Sequence, residues 1–134
     1  MIGIADTGFL VAFARRQDMH HNWAVSLAEE LTEPLLTCEA VLAETAFHLR
    51  SVELTLEMIV SELVILSFDC NDHLPQLMVL ANRYADRQPD LADLCLIRMS
   101  ELYPKHRVVT VDRDFRVYRR NKREVIPLIM PPQR

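Results

Sequence analysis

Four acids in this 134-residue chain sit where chemistry would need them, and none lies in a run of charges. Asp6 closes the apolar opening MIGIAD, and Asp112 closes the stretch VVTVD. Glu44 is set into the apolar run AVLAETAF, and Asp93 into PDLADLCLI. Carboxylates held about 4 Å apart repel by about 1 kcal/mol per pair in water, and several-fold more in a cleft. Such a cluster must take up protons or bind cations. Oxygen donors without thiolates or paired imidazoles select Mg2+, or Mn2+ in its place, over zinc. Divalent ions held by carboxylates suit phosphodiester hydrolysis, where they activate water and neutralise the leaving oxygen. Each acid also has a purely structural reading. Asp6 and Asp112 could cap helices, Asp93 could complete a cap begun by Asp90, and Glu44 could pair with His48 one turn on. These four readings are unrelated to one another, whereas a shared metal site accounts for all of them.

The elements that would position these acids follow from hydrophobic spacing. Short apolar runs predict strands at 2–5, 35–37, 63–68, 107–111 and 125–129. Helical spacing predicts helices over 8–15, 20–31, 39–50, 54–61, 72–87 and 90–102, with a short basic helix after Asp112. Strands alternating with helices describe a single α/β domain, 1–134, with a mostly parallel sheet. In such folds active groups gather at the carboxyl ends of the strands, where Asp6 and Asp112 fall. The run 63–68 is apolar throughout and predicts a buried strand.

Composition narrows the class further. Half of the residues are hydrophobic and a quarter charged, which excludes a disordered or collagenous chain. Only two glycines are present, against a turn-rich all-β fold. Three cysteines, far apart in sequence and without a CxxC pair, read as reduced apolar fillers of a cytoplasmic protein. The apolar runs fall short of the roughly 18 residues of a membrane span. Net charge is −4, yet residues 113–123 carry six basic groups and one acid. Arg113, Arg116, Arg119 and Arg120 are therefore candidates for holding backbone phosphates, or else form a solvated or partner-facing surface.

With those motifs in place, the sequence resembles the PIN domain family and, within it, the VapC-like ribonuclease toxins. IADTGFL, VLAETAF, PDLADLCLI and VVTVDRDFRVYRR carry the resemblance, in that order over nearly the whole chain. It implies a three-layer α/β/α sandwich and a Mg2+-dependent endoribonuclease acting on single-stranded RNA regions, leaving a 5′-phosphate. Asp6, Glu44, Asp93 and Asp112 match the acidic positions. Asp114 is a secondary candidate ligand, and Asp90 reads as a cap. Thr7 and Thr110 are expected to hydrogen-bond the carboxylates and fix their orientation. The resemblance also implies a cognate antitoxin protein and a homodimer, with the apolar residues of the first two helices as a docking groove. Phe115 reads as core and not as a base-stacking platform, Trp23 and Phe47 likewise as core or partner-groove residues, and His20, His21 and His48 as structural or surface residues.

Other readings are weaker. Asp6-Thr7-Gly8 also spells the signature of retroviral-type aspartic proteases, which need a glycine-rich all-β body. A response-regulator receiver needs an acidic pair after its first strand and a lysine after its last, and neither is present. A non-catalytic PIN-like scaffold that binds RNA or protein remains the alternative of a different class.

Overall fold

The computed structural model describes residues 1–133, and it is a three-layer α/β/α sandwich around a five-stranded parallel sheet. The chain opens with β1 (Gly3–Ala5), α1 (Thr7–Ala14), α2 (His21–Glu29) and β2 (Leu35–Thr37). It continues through α3 (Glu39–Leu49), α4 (Val52–Val60), β3 (Val64–Leu66) and a 3-10 turn, Cys70–His73. α5 (Leu74–Arg83), a 3-10 turn at Ala85–Arg87 and α6 (Leu91–Leu102) lead to β4 (Arg107–Val109). A last 3-10 turn (Arg113–Arg116) precedes β5 (Arg119–Arg120), β6 (Glu124–Val125) and β7 (Leu128–Ile129).

The sheet runs β3-β2-β1-β4-β7, with Ile4 opposite Leu36 on one side and Val108 on the other. β1 is thus central, and all three of its residues are buried, as a strand covered by helices on both faces requires. Helices α1 to α4 pack on one another, while α5 packs on α6. Phe9, Leu10, Leu35, Val41, Leu96, Ile97, Val108 and Phe115 are fully buried between the layers.

Several expectations are corrected. The run 63–68 yields only Val64–Leu66, at the edge of the sheet with β2 on one side and nothing on the other, and Ile65 and Leu66 stay exposed there. The expected helix over 72–87 is a helix of ten residues between two 3-10 turns. The basic helix after Asp112 is a single 3-10 turn running into β5. The strand expected at 125–129 divides at Ile126–Pro127 into β6, antiparallel to β5, and β7, parallel to β4. Pro127 has no N–H to donate, but its carbonyl accepts from the Val108 N–H at 2.9 Å.

The cysteines, distant in sequence, converge. Cys38 and Cys95 are buried, and the Cys70 sulfur lies 3.5 Å from that of Cys95, all as free thiols. Exposed apolar side chains also sit elsewhere than expected. They cluster on α4 (Val52, Leu54, Leu56, Val60), on edge strand β3 and on α5 (Leu74, Met78, Val79), with Phe47 of α3 and Met19 before α2 also exposed, so Phe47 is no core residue. Phe9, Leu10, Val11, Ala24 and Leu27 of the first two helices face inward. Among the described residues no helix is long and apolar enough to cross a membrane.

Candidate metal-binding active site

The site forms where β1 and β4 end side by side. Asp6 follows β1, and its N–H donates to the Val109 carbonyl at 3.0 Å, which ties the first acid to the strand leading to Asp112. The Asp6 side chain is only 6% exposed, so its two oxygens need partners. One accepts from the Thr7 N–H at 2.7 Å, where Asp6 also caps α1. The other accepts from the Thr110 hydroxyl at 2.6 Å. That hydroxyl in turn accepts from the Asp112 N–H at 2.9 Å, so one threonine orients both strand-end acids. Asp112 itself accepts from the Asp114 N–H at 2.8 Å and caps the turn that carries Arg113 and Arg116.

Two helices bring the remaining acids. Glu44 extends from α3 beside the buried Val41 and Thr45. Asp93 stands in the first turn of α6 within a reciprocal capping box: its N–H donates to Asp90 at 2.8 Å, and its carboxylate accepts from the Asp90 N–H at 3.3 Å. The cap is therefore real, and it also holds Asp93 in place. Asp6, Glu44, Asp93 and Asp112 all line one cleft of about 300 Å3.

Electrostatics in this cleft run against ionisation. Burial pushes the Asp6 carboxyl up to about 6 against the two hydrogen bonds, with the charges of Asp112 and Asp90 adding to the rise. Burial, followed by the neighbouring carboxylates of Asp90 and Asp6, pushes Glu44 to about 7. Asp93 rises to about 8 through burial and then the charges of Asp90 and Asp6. Acids that resist losing protons to this extent stand in a field that a cation would relieve.

The donor set fits a hard divalent ion: carboxylates dominate the polar lining of the cleft, which also includes His20 and His48, and the buried Thr7 hydroxyl has no partner of its own. Among the described residues no three His, Cys, Asp or Glu side chains form a ready-made clasp. The fit rests on donor chemistry and on the unrelieved charge. Gly8 completes the wall, because a Cβ there would collide with the Val111 side chain beside Asp112.

Other expected residues fall differently. Thr7 acts on Asp6 through its backbone, not its hydroxyl. Asp114 is turned out of the cleft toward Arg87, at 3.2 Å and half-exposed. Arg113 and Arg116 line a second cleft beside the first. Arg119 spends one guanidinium nitrogen on the carbonyls of Arg116, Val117 and Tyr118. Arg120 is buried against Ser100, Pro104 and Glu124 and lines neither cleft. Sequence reasoning missed Asp90, Asp18, His20 and His48 as members of the wall. Asp90 was legible only as a cap and His48 only as a pair for Glu44 one turn on, while Asp18 and His20 carry no spacing signal.

Thr110→Val tests the shared hydroxyl. It keeps the shape but strips a donor from Asp6 and an acceptor from the Asp112 N–H. Partners of metal ligands are worth about 10–100-fold in affinity, so Mn2+ binding measured by calorimetry should weaken by about that factor. Unchanged affinity would mean that the hydroxyl only fills space.

A PIN domain family model matches residues 4–121. Among solved structures, the chain is similar to the crystal structure of Mycobacterium tuberculosis VapC20, described as a sarcin-ricin loop cleaving toxin. The TM-score is 0.74 and the identity 21%, over 85% of this chain and 92% of that one. No curated protein matches the chain. At that identity the structural likeness speaks for the fold.

Proposed function

The chain belongs to the PIN domain family, and on that premise we propose that it is a Mg2+-dependent endoribonuclease of single-stranded RNA regions, the toxin of a toxin–antitoxin pair. The observation that carries this reading is the convergence of Asp6, Glu44, Asp93 and Asp112 on one cleft, three of them with carboxyls pushed well up. Structural caps alone do not require Glu44, from a different helix, to face the same cleft as two strand-end acids.

Asp6, Glu44, Asp93 and Asp112 would hold Mg2+, with Mn2+ able to substitute. When bound, the ion supplies activation of the attacking water and neutralises charge at the phosphodiester. The chain's own part is orientation. Thr110 and the Thr7 N–H fix the plane of the Asp6 carboxylate, and the capping box fixes Asp93. Glu44, whose carboxyl is pushed up by burial and by the neighbouring acids, is the group whose ionisation a bound cation would favour. Arg113 and Arg116 sit beside the cleft, where RNA phosphates flanking the cut would pass. The partners of this reading are an RNA substrate, an antitoxin protein and a second copy of the chain, working in the cytoplasm. The exposed apolar residues of α4, β3 and α5 are the surface open to protein partners.

The purified protein incubated with mixed tRNA and rRNA and Mg2+ should cut. EDTA should stop it. If no RNA is cut over a range of Mg2+ and Mn2+ and Mn2+ fails to bind, the non-catalytic scaffold reading replaces this one.

A further inference from the structure

A second cleft, of about 720 Å3, opens beside the carboxylates and shares His20 and Val111 with them. Its walls combine an aromatic ring, Trp23, with the guanidinium groups of Arg113 and Arg116 and the tail at Pro131–Gln133. We propose that this cleft is a nucleotide subsite, taking one unstacked base and its phosphate next to the phosphodiester that is cut. The proposal rests on the ribonuclease reading for its ligand and deepens it.

Three observations carry it. First, Trp23 is half-buried with its plane fixed by edge contacts to Phe9 (centroids 5.8 Å, 88°) and to His20 (6.3 Å, 76°). A rigid aromatic side chain at a cleft wall is the usual platform for a base pulled out of a stack, and stacking is worth about 5–150-fold per base. Second, the Arg116 fork lines the cleft and faces the Gln133 side-chain amide with both of its terminal nitrogens. With that amide assigned so that its oxygen faces the donors, the oxygen accepts from both terminal nitrogens, at 3.1 and 3.3 Å. A forked donor that holds a neutral amide oxygen will hold a phosphate more strongly, since both partners are then charged. Third, charge changes sign across the shared wall. The acidic cleft suits a cation, and the arginines one turn after Asp112 suit the next phosphate along the strand. The volume is in the range of small-molecule sites and suits a nucleotide.

The chain has a single tryptophan, so its fluorescence reports this cleft alone. The full-length protein, in EDTA so that nothing is cut, is titrated with single-stranded hexaribonucleotides and with an abasic ribose-phosphate hexamer. Base-bearing RNA should quench Trp23 and bind about tenfold or more tightly than the abasic strand. Arg116→Gln should weaken RNA binding and lower its salt slope by about one. Trp23→Leu should remove the preference for bases, and Trp23→Tyr should restore it. If Trp23→Leu does not fold, the abasic comparison in the wild-type protein decides. Equal affinity for both strands with unchanged fluorescence overturns the subsite. A parallel Mg2+ assay separates the two readings: cutting without quenching removes the subsite and leaves the nuclease, whereas quenching without cutting keeps the subsite and removes the nuclease.

Discussion

Asp6→Asn is expected to lower RNA cleavage by about 10³-fold or more while making the metal-free protein more stable at pH 8. Partners that merely orient a ligand are worth about 10–100-fold, so a direct ligand should exceed them. The fold should survive, because the amide oxygen can still accept from the Thr7 N–H. The Thr110 hydroxyl, which already accepts from the Asp112 N–H, can turn to accept from the new amide nitrogen as well. The stability change follows from where Asp6 ionises. Its carboxyl is raised from 3.8 to about 6, so the folded state holds its proton more tightly than the unfolded chain. The resulting stabilisation is fully present below about pH 4 and is lost as pH rises through about 6. It amounts to about 3 kcal/mol for this buried group. Glu44 and Asp93, raised to about 7 and about 8, push in the same direction. Metal-free wild-type protein should therefore melt lower at pH 8 than at pH 5, and Asp6→Asn should flatten that slope. Saturating Mg2+ should raise the wild-type melting temperature by mass action and the variant's much less. Thermal melts at the two pH values, in EDTA and in Mg2+, check both parts. A wild-type protein indifferent to pH and to Mg2+ would mean that these acids are only caps.

What the sequence made legible, and what it did not, divides along a physical line. Ile4, Val108 and Val109 read as buried strands because a parallel sheet covered on both faces admits only apolar runs. The strand-end positions of Asp6 and Asp112 followed from them. The run 63–68 looks equally apolar, yet it becomes a strand with two exposed residues, because sheet order is not written in local hydrophobicity. Asp90 and Asp93 were legible as a cap, since capping is a local arrangement of neighbouring residues. That Asp90 also raises the carboxyls of Glu44 and Asp93 depends on how α3 and α6 meet. Trp23 and His20 gave no sign of a cleft, because its far wall is built from distant residues, Val111, Arg113, Arg116 and Met130 to Gln133. The convergence of Cys38, Cys70 and Cys95 is of the same kind.

Arg116 and Arg120 lie four residues apart in one basic stretch, and their replacement should separate binding from folding. Arg120 is 4% exposed and donates to the carbonyls of Ser100 at 2.7 Å and Pro104 at 3.2 Å, and to Glu124 at 2.6 Å. Ser100 lies in the last turn of α6, whose final carbonyls have no partners within the helix. A cation there also opposes the negative end of the helix dipole. Arg120 thus fastens the β5–β6 hairpin to the helix that carries Asp93. Arg120→Met keeps most of the stem volume but strands the Ser100 and Pro104 carbonyls, at a cost of about 2–4 kcal/mol, while the exposed Glu124 keeps its bond from the Asn121 amide. For a domain of this size the melting temperature should fall by about 10 °C. Arg116 is exposed, and its guanidinium faces the cleft, so Arg116→Gln should change stability by no more than about 0.5 kcal/mol. Its effect should appear in RNA affinity and salt dependence instead. Melting and titration of both variants check this. Equal loss of stability in the two would mean that the basic stretch is one structural unit, and equal loss of RNA affinity with intact melting would place Arg120 at the substrate after all.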